Sequence, residues 1–342
     1  MILHLSLLDP ALPAWLVASE VCERHQAATF SEDLAVGHAE ALHSVRAWAE
    51  ARAAAWRLRG FGDELPGITL DGDHPRCHVG ADAVEALCAW LAPADEVVVW
   101  TREDTLSSVL FSAWVVALLR AGGRKTSVSV AHANAWDRSS PVSADLRRAV
   151  DAEALHRLWV CLTEAEPAAW VALAAGDARD EVRRVVRALL HRLPDATTGL
   201  SVVDLYLLRL LCVEGDAQAL VFVGPAEVEA MLGEDLSNGM LDAFDNVGMA
   251  ARVRLERMAR HPDPLVAIAP LTEETRWMWT SRLSVTPRGR AVAEGRASAW
   301  GAAPVDDELV GHRQRPEACW VVDTEGWTVG RRAVLEATDD GG

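Results

Sequence analysis

The chain has 342 residues, of which half are apolar and 24% are charged. This composition is typical of a soluble globular protein with room for two domains. Its net charge of −17 is spread along the chain: residues 1–192 hold 19 basic and 26 acidic side chains, and residues 193–342 hold 14 and 24. Nucleic-acid-binding proteins normally carry a basic surface, so both halves argue against nucleic acid as the partner.

Two features predict a cytoplasmic protein with no membrane partner. The first residues, MILHLSLLDP, lack the basic start of a signal peptide. The longest apolar stretch, 106–119, contains three serines and is shorter than the roughly 20 residues that a membrane helix needs. The cysteines form no CxxC pair and are predicted to be buried free thiols. They are Cys22, Cys77, Cys88, Cys161, Cys212 and Cys319.

The first half alternates predicted strands and helices. Strands are expected at 2–8, 26–30, 96–100 and 126–132, and helices at 11–22, 38–58, 81–91 and 106–119. The run EVVVW at 96–100 is typical of a strand buried on both faces of a parallel sheet. Together with the helix and strand that follow, it predicts a right-handed βαβ unit. Residues 60–78, rich in Gly, Pro and Asp, are predicted to be a loop.

The fold class is therefore predicted to be α/β, with an open, mostly parallel, Rossmann-like sheet in residues 1–143. Residues 144–198 are expected to form a helical connector. It leads to a joint at 193–213, where Pro194 and Gly199 interrupt the helical pattern. Ser201 is predicted to be the N-cap of the next helix, with Asp204 three residues later.

The second half is predicted to be mainly helical. Helices at 225–233 and 238–260, followed by short strands at 265–268 and 282–286, fit a winged-helix-like domain over residues 199–300. Residues 301–342 are predicted to be a C-terminal extension that is partly disordered, in which Trp320–Val322 packs against the rest.

Four segments resemble a bacterial protein family built from two adjoining domains of unknown function. LPDATTGLSVVDLYLLRLL (193–211) is similar to the LPSTxxGLSxTExQLLxLL junction of that family, and EDLAVGH (32–38) to its DDLSxGP turn. ADEVVVWTREDTLSSVLFSAWVVALL (94–119) resembles its central strand and helix, and RLSVTPRGRAVAEG (282–295) its LTxxGRxVLAG segment. The resemblance implies an N-terminal Rossmann-like domain and a C-terminal winged-helix-like domain.

The chain departs from this family at its beginning. The family starts with a strand and a GDSAAGSL-type loop of small residues, which is suited to cradling a phosphate. Here the same region reads LHLSLLDPALPAW and contains no glycine. The acid and Gln that follow the family's central strand are kept only in part, as Asp104 with Ser107 and Ser108.

Candidate site residues follow from the rule that open α/β sheets bind ligands beyond the carboxyl ends of their strands. The polar residues at these places, with two more that flank the acidic turn, are Asp9, Glu32, Asp33, His38, Arg46, Thr101, Asp104, His132 and Asn134. Such a set suits general acid–base chemistry, a divalent cation or a small anion. The alternative is that these residues make turns and helix caps, as Asp104 would. LDGDHPRCH (70–78) holds metal-ligand types but is interpreted as a solvated loop.

No reaction follows from the sequence. GxSxG, Walker A, GxGxxG and HExxH motifs are absent, so no catalytic residue, cofactor or metal is assigned. The leading hypothesis is a regulatory protein that binds a small anionic ligand or nucleotide and contacts a protein partner through its C-terminal domain. The alternative is an enzyme acting on a nucleotide or another small phosphorylated or carboxylated molecule. A third hypothesis is a DNA-binding repressor.

Overall fold

The computed structural model divides the chain into two compact units. The first comprises Met1–Glu166, Ala178–Val182 and Val310–His312, and the second comprises Pro167–Asp177, Arg183–Leu309 and Arg313–Gly342. The structure describes residues 1–7, 25–30, 67–70, 77–78, 88–101, 106–132, 144–175, 180–214, 255, 258–260, 263–268, 283–300, 308–309, 312–313, 319–323 and 328–332. The helices predicted at 11–22, 38–58 and 225–233, and most of those at 81–91 and 238–260, lie outside these ranges.

The first unit is built on a seven-stranded sheet. Its strands are β1 (Ile2–Leu7), β2 (His25–Phe30), β3 (Gly67–Leu70), β4 (Cys77–His78), β5 (Glu96–Thr101), β6 (Ser127–His132) and β7 (Arg147–Ala149). Their order across the sheet is β4-β3-β2-β1-β5-β6-β7. The four central strands, β2, β1, β5 and β6, are parallel to one another, and the three flanking strands are antiparallel to their neighbours. The α/β class is therefore confirmed.

Both faces of β1, β5 and β6 are buried, as the apolar run of β5 predicts. Register pairs Leu3 with Val97 and Leu5 with Val99, which places these aliphatic side chains on one face. The other face is more polar. Its buried residues on β1, β5 and β6 are His4, Ser6, Val98, Trp100, Ser129 and Ala131. A sheet interior with this much polar character requires hydrogen-bond partners within the protein.

The helix between β5 and β6, α1 (Leu106–Ala121), completes the predicted βαβ unit. It is mostly apolar, and its described side chains from Val109 to Leu119 are buried. The helix ends at Gly122 and Gly123, and Gly123 has the positive φ (67°) expected of a glycine that follows a helix. A second helix, α2 (Ala152–Glu164), lies against α1.

Two sequence predictions were wrong in detail. Residues 60–78 contain strands β3 and β4, because Ile68 and Thr69 are β-formers that extend the sheet beyond β2. The predicted helical connector begins with a short 3-10 helix, Ala144–Leu146, and then contains strand β7, whose Arg147 is hydrogen-bonded to Glu96 of β5. Strands β3 and β7 form through partners outside the local stretch of sequence, β2 and β6, which local periodicity does not reveal.

The second unit contains helices α3 (Pro167–Ala175), α4 (Asp180–Leu190, from Arg183 on), α5 (Val202–Glu214) and α6 (Pro287–Ala293). Strands β8 (Val266–Ile268) and β9 (Leu283–Val285) pair antiparallel. These strands and α6 share a core with α5 that includes Leu207, Leu208 and Val292. Close packing depends on Gly289 of α6, because a Cβ there would lie 2.0 Å from the carbonyl oxygen of Leu265.

The joint between α4 and α5 has the predicted helix cap. The backbone N–H of Asp204 donates to the Ser201 hydroxyl oxygen (3.1 Å), and that hydroxyl donates to the Asp204 carboxylate (2.7 Å). Gly199, just before the cap, has a φ of 77°. Asp195 organises the turn by accepting the backbone N–H groups of Thr197 and Thr198. Local polar residues therefore set the geometry of the joint.

The C-terminal residues contribute directly to the joint. The remaining strands are β10 (Glu308–Leu309), β11 (His312–Arg313), β12 (Cys319–Asp323) and β13 (Thr328–Arg332), with β12 and β13 forming an antiparallel hairpin. The backbone of Val322 exchanges hydrogen bonds with Pro194 and Ala196 (3.0 and 2.8 Å). Trp320–Val322 is buried, as the sequence predicts. Within the described ranges, no helix combines the length and apolar character that crossing a bilayer requires.

Candidate functional site

The carboxyl ends of the four parallel strands lie at one edge of the sheet. In chain order, β2 is added on one side of β1. β5 is then added on the opposite side of β1, and β6 is added beyond β5. The direction of strand addition therefore reverses between β1 and β5. In open α/β sheets a crevice forms at such a reversal, outside the carboxyl ends of the strands.

Two of the predicted site residues meet at this edge. Thr101 ends β5, His132 ends β6, and the two residues are paired in register. The Thr101 hydroxyl oxygen lies 3.3 Å from Nδ1 of His132, a hydrogen bond whose donor depends on the imidazole tautomer. Thr101 is only 2% exposed, whereas His132 is half-buried. The hydroxyl therefore orients an imidazole that solvent can reach.

The other predicted site residues fall outside the described part of the chain. They are Asp9, Glu32, Asp33, His38, Arg46, Asp104 and Asn134. The strand-end prediction for these residues thus stays a prediction.

Comparisons with protein families and with curated proteins find no match for this chain. The resemblance to a two-domain bacterial family, drawn from the four motifs, also stays a prediction.

A buried polar pair that the sequence did not predict joins the middle of β1 to the residue before the end of β5. The indole N–H of Trp100 donates to Nδ1 of His4 across 2.9 Å, and each side chain is 1% exposed. His4 lies in β1 and Trp100 in β5, so the pair crosses the reversal point of the sheet. Alternation of apolar and polar residues in LHLSL was the signal that could have found it, since His4 and Ser6 share one face.

A second polar network lies at the opposite, amino edge of the same strands. The Glu96 carboxylate accepts hydrogen bonds from the Ser129 hydroxyl (2.7 Å) and from the Arg147 guanidinium (3.1 Å). These contacts hold β7 beside β6, and all three side chains serve to join the strands. They are structural, and they leave the carboxyl edge as the candidate ligand site.

A small cavity of about 80 Å³ lies between α1, α2 and strands β6 and β7. Its polar lining includes Ser108, Ser112, Arg148 and Asp151. Asp151 already caps α2 by accepting the N–H groups of Glu153 and Ala154, and Ser112 donates to the Ser108 carbonyl. Ligand pockets usually measure about 300 Å³ or more, so this cavity is too small for a nucleotide.

Three of the cysteines, Cys161, Cys212 and Cys319, are not activated nucleophiles. Together with Cys88 they take part in no disulfide bond, and Cys319 is buried whereas the other three are half-buried. Burial raises the pKa of Cys161, Cys212 and Cys319, so these thiols stay protonated at neutral pH. Among the residues that the structure describes, no group of three or more His, Cys, Asp or Glu side chains is arranged to hold a metal.

Proposed function

We propose that this is a regulatory protein whose first unit binds a small anionic molecule or a nucleotide at the carboxyl edge of its parallel strands. The hydrogen-bonded pair Thr101–His132, beside the reversal between β1 and β5, is the observation that carries the proposal. Hydroxyl and imidazole groups are hydrogen-bond donors suited to phosphate or carboxylate oxygens. The proposal treats this unit as Rossmann-like and takes the protein to act in the cytoplasm.

The second unit, interpreted as winged-helix-like, would pass the signal on by contact with another protein. The second unit carries 18 basic and 25 acidic side chains, a net charge of −7 that opposes binding to phosphate backbones. Some of its arginines are also paired with acids: Arg288 lies 3.4 Å from the Asp263 carboxylate, and Arg296 forms an ion pair with Glu294. Protein contact is therefore favoured over a DNA-binding repressor.

The ligand proposal is tested by titrating phosphate, AMP and ATP into the full chain while recording thermal unfolding and binding heat. A ligand that binds the native state raises its stability, and His132→Ala is expected to weaken binding at least tenfold. Thr101→Val removes the hydroxyl and should also weaken binding, whereas Thr101→Ser should restore it. The matched control is Thr126→Val, because the Thr126 hydroxyl donates to the Ala94 carbonyl before β6 begins, at the amino edge.

If none of these ligands binds, or if binding is unchanged in His132→Ala, the carboxyl edge is not the site. A fluorescence-anisotropy titration with duplex DNA at low salt tests the second unit separately. DNA binding with a submicromolar Kd would support the repressor hypothesis for the second unit in place of protein contact. It would not bear on the proposed ligand site of the first unit.

The second candidate is an enzyme that uses His132 as a general base or acid. The same Thr101–His132 hydrogen bond favours it, because an imidazole oriented by a neighbouring group is a common arrangement in proton transfer. Thr101 is too deeply buried to be the nucleophile. Turnover of a bound nucleotide that His132→Ala abolishes without weakening binding would identify the enzyme, and binding without turnover would identify the regulatory protein.

A further inference from the structure

The hydrogen bond between Thr101 and His132 lies against an apolar part of the sheet. Val99 and Val130 stand two residues earlier on the same face of β5 and β6, are paired in register, and are buried. Neither side chain has an acceptor for a hydroxyl hydrogen. Thr101 is itself almost completely buried, so bulk water does not supply one. The hydroxyl group therefore depends on its neighbours at the strand ends for a partner.

Within the described part of the chain, that partner is Nδ1 of His132, 3.3 Å from the Thr101 oxygen, and the hydroxyl forms no second hydrogen bond. If Nδ1 carried a proton, it would donate to the Thr101 oxygen, and the hydroxyl hydrogen would be left buried without an acceptor. A buried polar group without a hydrogen bond destabilises the folded state. If Nδ1 is unprotonated, the hydroxyl donates to it and no hydrogen is left over. The burial of Thr101 thus favours the second arrangement.

We propose that the Thr101 hydroxyl donates to Nδ1 of His132 and thereby holds the neutral imidazole in the tautomer that carries its proton on Nε2. A neutral imidazole has one protonated nitrogen, so assigning Nδ1 as the acceptor assigns the proton to Nε2. Thr101 is then a positioning residue: it acts on a bound molecule only through the ring that it orients.

The tautomer defines which chemical group His132 fits. This step rests on the proposed function of the carboxyl edge, whereas the tautomer itself does not. With the proton on Nε2, that nitrogen donates a hydrogen bond, and the group that it contacts on a ligand is an acceptor oxygen, as in a phosphate or a carboxylate. The same nitrogen has no lone pair with which to remove a proton. The tautomer therefore favours ligand binding by His132 over a role as a general base.

Nitrogen-15 NMR of the full chain, labelled at histidine and measured at about pH 8.5 where imidazole side chains are neutral, tests the tautomer. His132→Asn lacks the His132 resonances and so assigns them. In the wild-type protein, Nε2 should resonate as a protonated nitrogen and Nδ1 as an unprotonated nitrogen that accepts a hydrogen bond. Thr101→Val keeps the shape of the side chain without the donor, so Nδ1 should shift towards the position of an unprotonated nitrogen without a hydrogen bond.

Two further variants separate the hydroxyl from a general effect on the fold. Thr101→Ser keeps the donor and should restore the wild-type Nδ1 resonance. Thr126→Val, which removes a threonine hydroxyl at the amino edge, is the matched control and should leave both His132 resonances unchanged. A protonated Nδ1 in the wild-type protein, or an Nδ1 resonance that Thr101→Val does not move, would overturn the tautomer whether or not any ligand binds.

Titrating phosphate, AMP and acetate into the labelled protein tests the ligand step. An acceptor oxygen at His132 should shift the Nε2 resonance and leave Nδ1 unprotonated, and the response to phosphate against acetate tells which anion fits. Transfer of the proton from Nε2 to Nδ1 on binding would overturn the donor role. If Nε2 is protonated as expected but none of the three molecules shifts it, the proposed ligand site fails while the tautomer stands.

Discussion

Nδ1 of His4 accepts the indole N–H of Trp100 at 2.9 Å, which joins β1 to β5 through their side chains as well as through their backbones. The two rings lie 6.0 Å apart and are tilted by 37°. Because Nδ1 is the acceptor, a neutral His4 carries its proton on Nε2. The bond lies beside the strand reversal, so it bears on the geometry of the candidate ligand site.

We expect the His4–Trp100 hydrogen bond to appear as a coupling energy in a double-mutant cycle. His4→Leu leaves a buried indole N–H without its acceptor and should lower the free energy of unfolding by about 1–3 kcal/mol. Trp100→Phe removes the donor, so the double variant should be less destabilised than the sum of the single variants, by about 1 kcal/mol. The free energy of unfolding is measured by urea denaturation for the wild-type protein, the two single variants and the double variant. Additive effects would contradict the prediction.

His191 should make the second unit acid-sensitive. It is 5% exposed, and burial, assisted by the positive charge of Arg187, lowers its pKa from 6.5 to about 4 against the opposing charge of Asp195. The unfolded chain therefore binds a proton near pH 6.5 that the folded chain refuses until about pH 4. The neutral His191 therefore stabilises the folded state fully above pH 6.5. As the pH falls from 6.5 to about 4, the free energy of unfolding decreases by up to about 3 kcal/mol.

The measurement is the free energy of unfolding at a series of pH values from 7 to 4.5, for the wild-type protein and for His191→Leu. The variant has no group to titrate at this position, so its stability should fall less steeply over that interval. Equal slopes for the two proteins would show that His191 does not account for the acid sensitivity.

Gly199→Ala should destabilise the joint through two separate effects. Its φ of 77° is costly for any residue with a Cβ, and a Cβ would lie 2.9 Å from the backbone nitrogen of Trp300. Gly295→Ala is the matched control, because Gly295 has a similar φ (73°) but open space around its Cβ position. The control should cost about 1 kcal/mol and Gly199→Ala at least 1 kcal/mol more. Equal losses in thermal unfolding would exclude a role for Trp300.

Gly289→Ala should be the more damaging substitution in the core of the second unit. A Cβ at this position would overlap the Leu265 carbonyl oxygen, so α6 would have to move away from β8 and β9. We expect a loss of about 3 kcal/mol, at the upper end of the cost of overpacking. Gly330→Ala, where nothing lies within 4 Å of the added Cβ, should be close to neutral. A stable Gly289→Ala protein would mean that α6 packs differently.

The role of Gly289 also gives a physical reason for one motif that carries the family resemblance. In RLSVTPRGRAVAEG, Thr286 caps α6 by accepting the Gly289 N–H at 2.9 Å, and its hydroxyl donates to the Pro264 carbonyl at 2.7 Å. Gly289 then permits the close approach to Leu265. The motif is thus explained by packing within the second unit and needs no ligand.

The sequence by itself determined the elements whose signals are local. EVVVW predicted a strand buried on both faces, the apolar stretch after it predicted α1, and Ser201 with Asp204 predicted the start of α5. Each of these signals lies within a dozen or so consecutive residues, where periodicity and capping chemistry act. The strand-end rule also predicts Thr101 and His132, which contact each other. The four-part domain division and the remaining site residues stay predictions.

Only the tertiary structure decided which residues meet. His4 and Trp100 are 96 positions apart, and Thr101 and His132 are 31 apart, so no local pattern encodes either contact. The same holds for β3 and β7, which are strands because a neighbouring strand satisfies their backbone groups. Strand order and packing depend on interactions throughout the whole unit, whereas a short stretch of sequence reflects only the interactions within that stretch.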